Sequence, residues 1–241
     1  MQINYYSTYS CINIYERPSI YSKISSQIIY GEKFKVLKKI RSFIKIRTSY
    51  DRYTGYIKNR KFIKKFKPTH KVKVLKTRIY KSNNFLPFSS EIEIIKKKKN
   101  YVMFEKNKWI KQKDITLINK KEKNFVKIFK SYLNCKYKWG GKTYDGIDCS
   151  ALIQIFYKFN NKFFPRDTVE QIKCKKGSII KKKFKKGDII FWKGHVAVCI
   201  DSKKLIHAYG PEKKVIIMPI HKTIKRIERT AKLKVKKVFR I

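Results

Sequence analysis

The chain turns on Trp139-Gly-Gly-Lys-Thr-Tyr-Asp-Gly-Ile-Asp-Cys149-Ser150-Ala151-Leu152-Ile153-Gln154-Ile155-Phe156, a glycine-rich loop that ends in an acid, a cysteine and an apolar run. The run reads as a buried helix opening at Cys149. Asp148 is a good N-cap, so the sulfur is expected at the positive end of that helix. That position favours thiolate and is expected to lower a free-thiol pKa of about 8.5 toward neutrality. Cys149 is therefore a candidate nucleophile.

A thiol nucleophile needs a base, and the sequence has four histidines. His70 falls in a linker and His221 in a lysine-flanked tail, both reading as solvated surface residues. His195 starts a predicted strand directly after the tight Lys193-Gly194 hairpin, where a side chain can project from a sheet edge into a cleft. His207 lies in the next predicted strand, between Ile206 and Ala208. A lone strand histidine is more often a satisfied core or surface group. Cysteine at a helix start with two strand histidines, however, supplies a nucleophile, a base and an orienting group. A hairpin centred on Asp201 is the turn that brings the two imidazoles together; the pattern permits this register and does not select it.

Working outward, the pattern has three parts. In the first, short alternating runs (Lys33–Leu37, Phe43–Ile46, Tyr53–Ile57) with turn residues between them predict a small β-barrel over residues 1–66. After Lys67-Pro68-Thr69-His70, a second series (Val72–Leu75, Arg78–Tyr80, Ile92–Ile95, Tyr101–Phe104, Trp109–Ile110) predicts another over 67–120. Echoes between them, such as Gly55-Tyr56-Ile57 and Lys108-Trp109-Ile110, suggest a repeated unit; one larger all-β domain is the alternative. From about Lys121 the period becomes helical. Asn124–Leu133 and the Cys149 helix are followed by a turn at Pro165 into a short helix. Four strands come next, at Asp188–Trp192, His195–Ile200, Lys204–Tyr209 and Lys214–Met218. Helices followed by an antiparallel meander make residues 121–241 an α+β unit.

Composition bounds the reading. The 241 residues are 42% hydrophobic and 15% aromatic, enough for real cores. Sixty-two Lys and Arg against 16 Asp and Glu give a formal charge of +46. A polyanion partner is one reading of that charge. Compositional drift is the other, favoured because lysines occur in every segment without a nucleic-acid motif. The runs Lys96–Lys99 and Lys181–Lys186 read as turns and solvated edges. Five cysteines, at 11, 135, 149, 174 and 199, form no Cys-x-x-Cys pair, so neither a disulfide framework nor a zinc knuckle is expected. The N-terminal residues show no secretory pattern and no run is long enough to span a membrane, so a cytoplasmic home in a bacterium is expected.

Six motifs occur in order: Tyr137-x-Trp139-Gly140-Gly141, Asp145-Gly146-x-Asp148-Cys149-Ser150-x-Leu152, Pro165-Arg166-Asp167-Thr168-x-x-Gln171, Gly187-Asp188-x-x-Phe191-Trp192, His195-Val196 and His207-Ala208. This series resembles the signature of NlpC-type cysteine peptidases, a papain-like family of bacterial cell-wall endopeptidases, across about residues 121–220. The β units in front resemble paired bacterial SH3-like domains, as in the branch of the family acting on free murein peptides with an unblocked N-terminus. The resemblance implies an α+β papain-like catalytic domain behind two small SH3-like β-barrels. It implies Cys149 as nucleophile, His195 as base and His207 as the polar residue orienting it. Tyr137 matches a tyrosine whose hydroxyl joins the Cys149 backbone N–H in an oxyanion hole. Asp148 and Ser150 match positions that hold the substrate's free amine, although Asp148 also suffices as a plain cap. Glu32 and Tyr53 match an acid and a tyrosine of the first SH3-like domain that close the amine end of the cleft; an ordinary surface carboxylate and a core aromatic are the alternatives.

Ala151 departs from the glycine usual after Cys-Ser, which leaves the chemistry intact. Trp139, Trp192 and Tyr209 either line the cleft or belong to the core, and the role of Thr168 is open. The implied reaction is hydrolysis of the γ-D-glutamyl–diamino acid bond of murein peptides, in recycling or turnover, with no cofactor, no metal and no specific nucleic-acid partner. Two rivals stand beside it. One is an acyltransferase or amidase on the same fold, and the other a non-catalytic wall-peptide or polyanion binder.

Overall fold

The computed structural model describes residues 3–178 and 183–241. The first 60 residues build one antiparallel sheet of six strands, ordered Asn4–Tyr6, Lys33–Ile40, Phe43–Thr48, Thr54–Lys58, Cys11–Tyr15, Ile24–Ile29. Alternation drives it: Ile12 and Ile14 point inward, as do Ile44 and Ile46, and with Ile28, Phe34 and Ile57 they form one apolar cluster. Residues 70–117 fold around a second cluster of Val72, Leu86, Ile92, Val102, Ile110 and Ile115. Their strands are shorter and split into three small sheets of three, three and two strands. Tyr30, in the turn after Ile24–Ile29, joins this second cluster, so the two β units share an apolar seam.

His70 opens the strand His70–Val72 and does not lie in a free linker. Lys96–Lys98 is a fully exposed edge strand that turns at Lys99, where φ is 50°. Edge lysines of this kind discourage pairing with another chain. Of the Lys181–Lys186 run, Lys181 and Lys182 lie outside the described residues.

The remaining residues form the α+β unit. Helix α1 (Phe125–Ser131) is capped by the Asn124 side chain, which accepts from the Lys127 N–H. Helix α2 (Cys149–Phe159) is buried along its whole length. It packs on a five-stranded antiparallel sheet ordered Lys214–Pro219, Lys204–Tyr209, His195–Cys199, Asp188–Trp192, Lys237–Arg240. One face of that sheet, with Val196, Val198, Ile206 and Ala208, meets Leu152, Ile153, Ile155 and Phe156 of α2. Each such side chain contributes about 1.5–3 kcal/mol on burial, an upper estimate. The opposite face, with Trp192, Ala197, Leu205 and Tyr209, is covered by α4 (Ile220–Ala231). Helix α3 (Thr168–Gln171) follows the Pro165 turn.

Candidate active site

Asp148 caps α2 through Oδ1, which accepts from the Ala151 N–H at 2.8 Å. Cys149, the first helical residue, is 5% exposed. Its sulfur accepts hydrogen bonds from the backbone N–H groups of Val196 and Ser150. The first of these places the thiol at the start of the His195–Cys199 strand.

The thiol is not lowered toward neutrality. Burial, reinforced by the Asp148 charge, pushes Cys149 up to about 12. A helix end favours thiolate only where its field is neither cancelled by an adjacent carboxylate nor outweighed by lost hydration, and here both happen.

His195 pairs with Trp192 across the Lys193-Gly194 hairpin, where Gly194 takes φ of 73°. Burial lowers its imidazole to about 4. Its Nε2 stands 2.9 Å from Nδ1 of His207. The register sets Val198 opposite Ile206, which brings the two imidazoles to one face of the sheet along a diagonal and not directly opposite. His207 is fully buried, its own pKa lowered well below 6.5 by burial, then by His195 and Arg226. The Tyr209 ring stacks on it at 4.5 Å between centroids and 12° between planes. Trp192 is core at 1% exposure, whereas Trp139 is 63% exposed. Burial raises the Tyr137 hydroxyl, with Cys149 and Asp148 as the nearest charges acting on it.

The residues expected to hold an amine are bonded within the chain. The two oxygens of Asp148 accept from Gly140 N at 3.0 Å, Ser150 Oγ at 3.0 Å, Ala151 N, and Arg166 Nη1 and Nη2 at 3.0 and 2.6 Å. A carboxylate has about four lone-pair sites, so this one is saturated. Ser150 Oγ is consumed too, accepting from Arg166 Nη1 at 2.8 Å. Arg166, 2% exposed, also donates from Nε to Ser26 Oγ of the first sheet at 3.0 Å. Asp148 and Ser150 thus brace the helix start against the first β unit.

Glu32 is likewise enclosed. It is 5% exposed, its Oε2 accepts from the Ile29 N–H at 2.8 Å, and its Oε1 faces Lys142 Nζ at 3.3 Å and Lys158 Nζ at 3.6 Å. Lys158 also reaches Glu91 at 3.4 Å, so these ions join all three parts of the chain. Glu32, expected at the amine end of the cleft, thus lies at the junction between Lys142 and Lys158. The Tyr53 hydroxyl donates to the Ser25 carbonyl oxygen at 3.4 Å, and the Asp167 charge acts on it.

Asp167 is the carboxylate that sequence reasoning passed over. The residue keeps an exposed flank and makes no side-chain cap bond to α3, while its carboxyl is raised by partial burial and then by the Asp148 and Asp51 charges, against the opposing pull of Arg166. The Pro165-Arg166-Asp167 motif was its only signal. Which of two adjacent charges turns inward depends on packing that no spacing records. Among the described residues, no group of three or more His, Cys, Asp or Glu side chains is arranged to hold a metal ion. None of the described helices is long and apolar enough to cross a membrane.

Residues 134–231 match the model of the NlpC/P60 family, and residues 14–62 that of the bacterial dipeptidyl-peptidase Sh3 domain. Over 230 residues the chain is 23% identical to dipeptidyl-peptidase 6 of Lysinibacillus sphaericus, covering 81% of this chain and 84% of that protein. Over 231 residues it is 26% identical to gamma-D-glutamyl-L-lysine dipeptidyl-peptidase of Bacillus subtilis, covering 83% of this chain and 77% of that one. A crystal structure of an NlpC/P60 family protein from Bacillus cereus superposes with a TM-score of 0.81 at 18% identity, covering 98% of this chain and 99% of the other. That likeness shows a shared fold, mixed in helix and sheet.

Proposed function

We propose that this chain, which carries an NlpC/P60-family domain behind a bacterial SH3 domain, is a cysteine endopeptidase cutting the γ-D-glutamyl–diamino acid bond of murein peptides. One observation carries the reading. The buried Cys149 sulfur is hydrogen-bonded at the residue next to His195, whose Nε2 is held 2.9 Å from His207. Residues 1–66 and 67–120 then act as two SH3-like units ahead of a catalytic domain at 121–241.

With the thiol raised and the imidazole lowered, the resting pair is neutral. His195 takes the sulfur's proton as Sγ attacks the γ-glutamyl carbonyl, which avoids two buried charges before substrate arrives. The Tyr137 hydroxyl and the Cys149 N–H stabilise the developing oxyanion. The imidazolium returns its proton to the leaving amine, and water hydrolyses the thioester. Asp167, whose charge acts on the Tyr53 hydroxyl, binds the free ammonium of the substrate's first residue, while Asp148 and Ser150 hold that wall through Arg166. A free ammonium marks a peptide already released from its glycan, so the substrate is a fragment in turnover.

The test compares L-Ala-γ-D-Glu-diaminopimelate with its N-acetylated form. A hydrogen-bonded charge is worth about 1.5–3 kcal/mol, so acetylation is expected to lower kcat/KM about 10- to 100-fold. Asp167→Asn is expected to reduce that preference chiefly through KM. Equal rates on both peptides contradict the amine-binding part, and ester or lipid amide cleavage in their place contradicts the peptidase reading.

A further inference from the structure

A thioether sulfur has lone pairs and no proton, so beside a ring nitrogen it can only accept. Met218 Sδ lies 3.3 Å from Nε2 of His207. The strand register explains the approach. Ile216 stands opposite His207 and Met218 opposite Leu205, so Met218 shares the face of Ile216 and reaches His207 diagonally.

The remaining protons follow by elimination. His207 Nε2 must carry hydrogen to use that contact, and a neutral imidazole carries only one, so Nδ1 is left as a lone pair. The His195 Nε2, 2.9 Å away, must then be the donor between the two rings. That leaves Nδ1 of His195 bare, and it is the nitrogen free to receive the Cys149 proton. The opposite tautomer of His207 would put N–H on Nδ1, reverse the inter-ring bond and move the His195 proton to Nδ1. A base already protonated at its working atom accepts nothing.

We propose that Met218 is a positioning residue that sets the proton register of the His195–His207 pair, keeping Nδ1 of His195 unprotonated for attack. A second set of contacts acts in the same direction. Tyr209 stacks on His207, and the Arg226 guanidinium lies 5.4 Å from the Tyr209 ring centroid while pairing with Glu212 at 2.7 Å. The positive charge of Arg226 opposes a second proton on His207, so this ring stays a neutral relay with one donor and one acceptor. During the reaction the proton leaves Cys149 Sγ for His195 Nδ1, the His195 Nε2–H still donates to His207, and the Nδ1 proton passes to the leaving amine. Nothing moves on His207 or Met218.

The inference rests on the cysteine-peptidase reading for its effect on rate, but the proton positions are read without substrate. Two measurements are needed on the full chain: ring-nitrogen 15N spectra, which separate protonated from bare nitrogens, and kcat and KM on murein tripeptide. The wild-type protein is expected to show His207 protonated on Nε2 and bare on Nδ1, and His195 protonated on Nε2. Met218→Leu keeps the volume and removes the acceptor, a swap that cores tolerate. It is expected to populate both His207 tautomers and to lower kcat about fivefold at unchanged KM, the factor that one net hydrogen bond is worth. Met218→Gln restores an acceptor and is expected to recover both the spectrum and most of kcat. Wild-type His207 protonated on Nδ1, or a Met218→Leu spectrum identical to wild type, overturns the proposal. Wild-type protein that shows the expected spectrum but cuts no peptide defeats the peptidase reading alone.

Discussion

At the residue scale the decisive property is the neutrality of the Cys149–His195 pair. The thiol is pushed up to about 12 and the imidazole down to about 4, so in the free protein neither is charged between those values. Iodoacetamide reacts with thiolate, so its rate at Cys149 is expected to climb steadily above neutrality. A plateau between about pH 5 and 8 would mean a preformed thiolate–imidazolium pair and contradict this. The helix start and the two strand histidines were legible in the sequence, because a cap followed by an apolar run and a hairpin glycine have fixed local meanings. The sign of the thiol shift was not. It depends on the Asp148 charge and on burial, which arise only after the Val196 strand covers the helix. Asp167 and Met218 escaped for the same reason: the groups they act on, Tyr53 and His207, lie on other elements.

At the element scale, the loop ahead of α2 does as much for the site as the helix. Gly140 sits at φ of 73°, and a Cβ there would come within 2.6 Å of the Ile24 carbonyl oxygen. Its N–H also donates to Asp148 Oδ2 at 3.0 Å. Gly140→Ala is therefore expected to cost about 1–3 kcal/mol in urea unfolding, from the left-handed backbone and the clash together. A loss under about 0.5 kcal/mol would show that the loop relaxes freely. The strands of the meander were readable because alternation and turn residues agree there, and Asp188–Trp192 and Lys204–Tyr209 fall within the expected bounds. Helix α4 and the closing strand Lys237–Arg240 were not anticipated. Ile220, Ile224 and Ile227 do make one apolar face over the sheet, but lysines and arginines between them read as a solvated tail. His221 belongs to that helix, against Phe184.

At the scale of the whole molecule, the β units are bonded to the α+β unit through buried polar groups. The first sheet supplies Ser26 to Arg166 and Gln27 to the Lys142 N–H, the latter at 2.8 Å. Its Glu32 ties Lys142 and Lys158, and Lys158 ties Glu91 of the second unit. Removing one partner of a buried ion pair costs about 3–5 kcal/mol, because the other charge is stranded. Glu32→Gln is thus expected to lower stability by about that amount while leaving KM for murein tripeptide unchanged. A large rise in KM with stability intact would return Glu32 to the amine site. The sequence did not foretell this junction, since buried lysines are invisible in a chain with 62 basic residues.

The most direct measurement is mass spectrometry of L-Ala-γ-D-Glu-diaminopimelate incubated with the wild-type protein and with Cys149→Ser. The account predicts L-Ala-γ-D-Glu and free diaminopimelate from the wild type, with no product from the variant. Equal cleavage by both proteins, or an intact peptide after incubation with folded wild type, contradicts it.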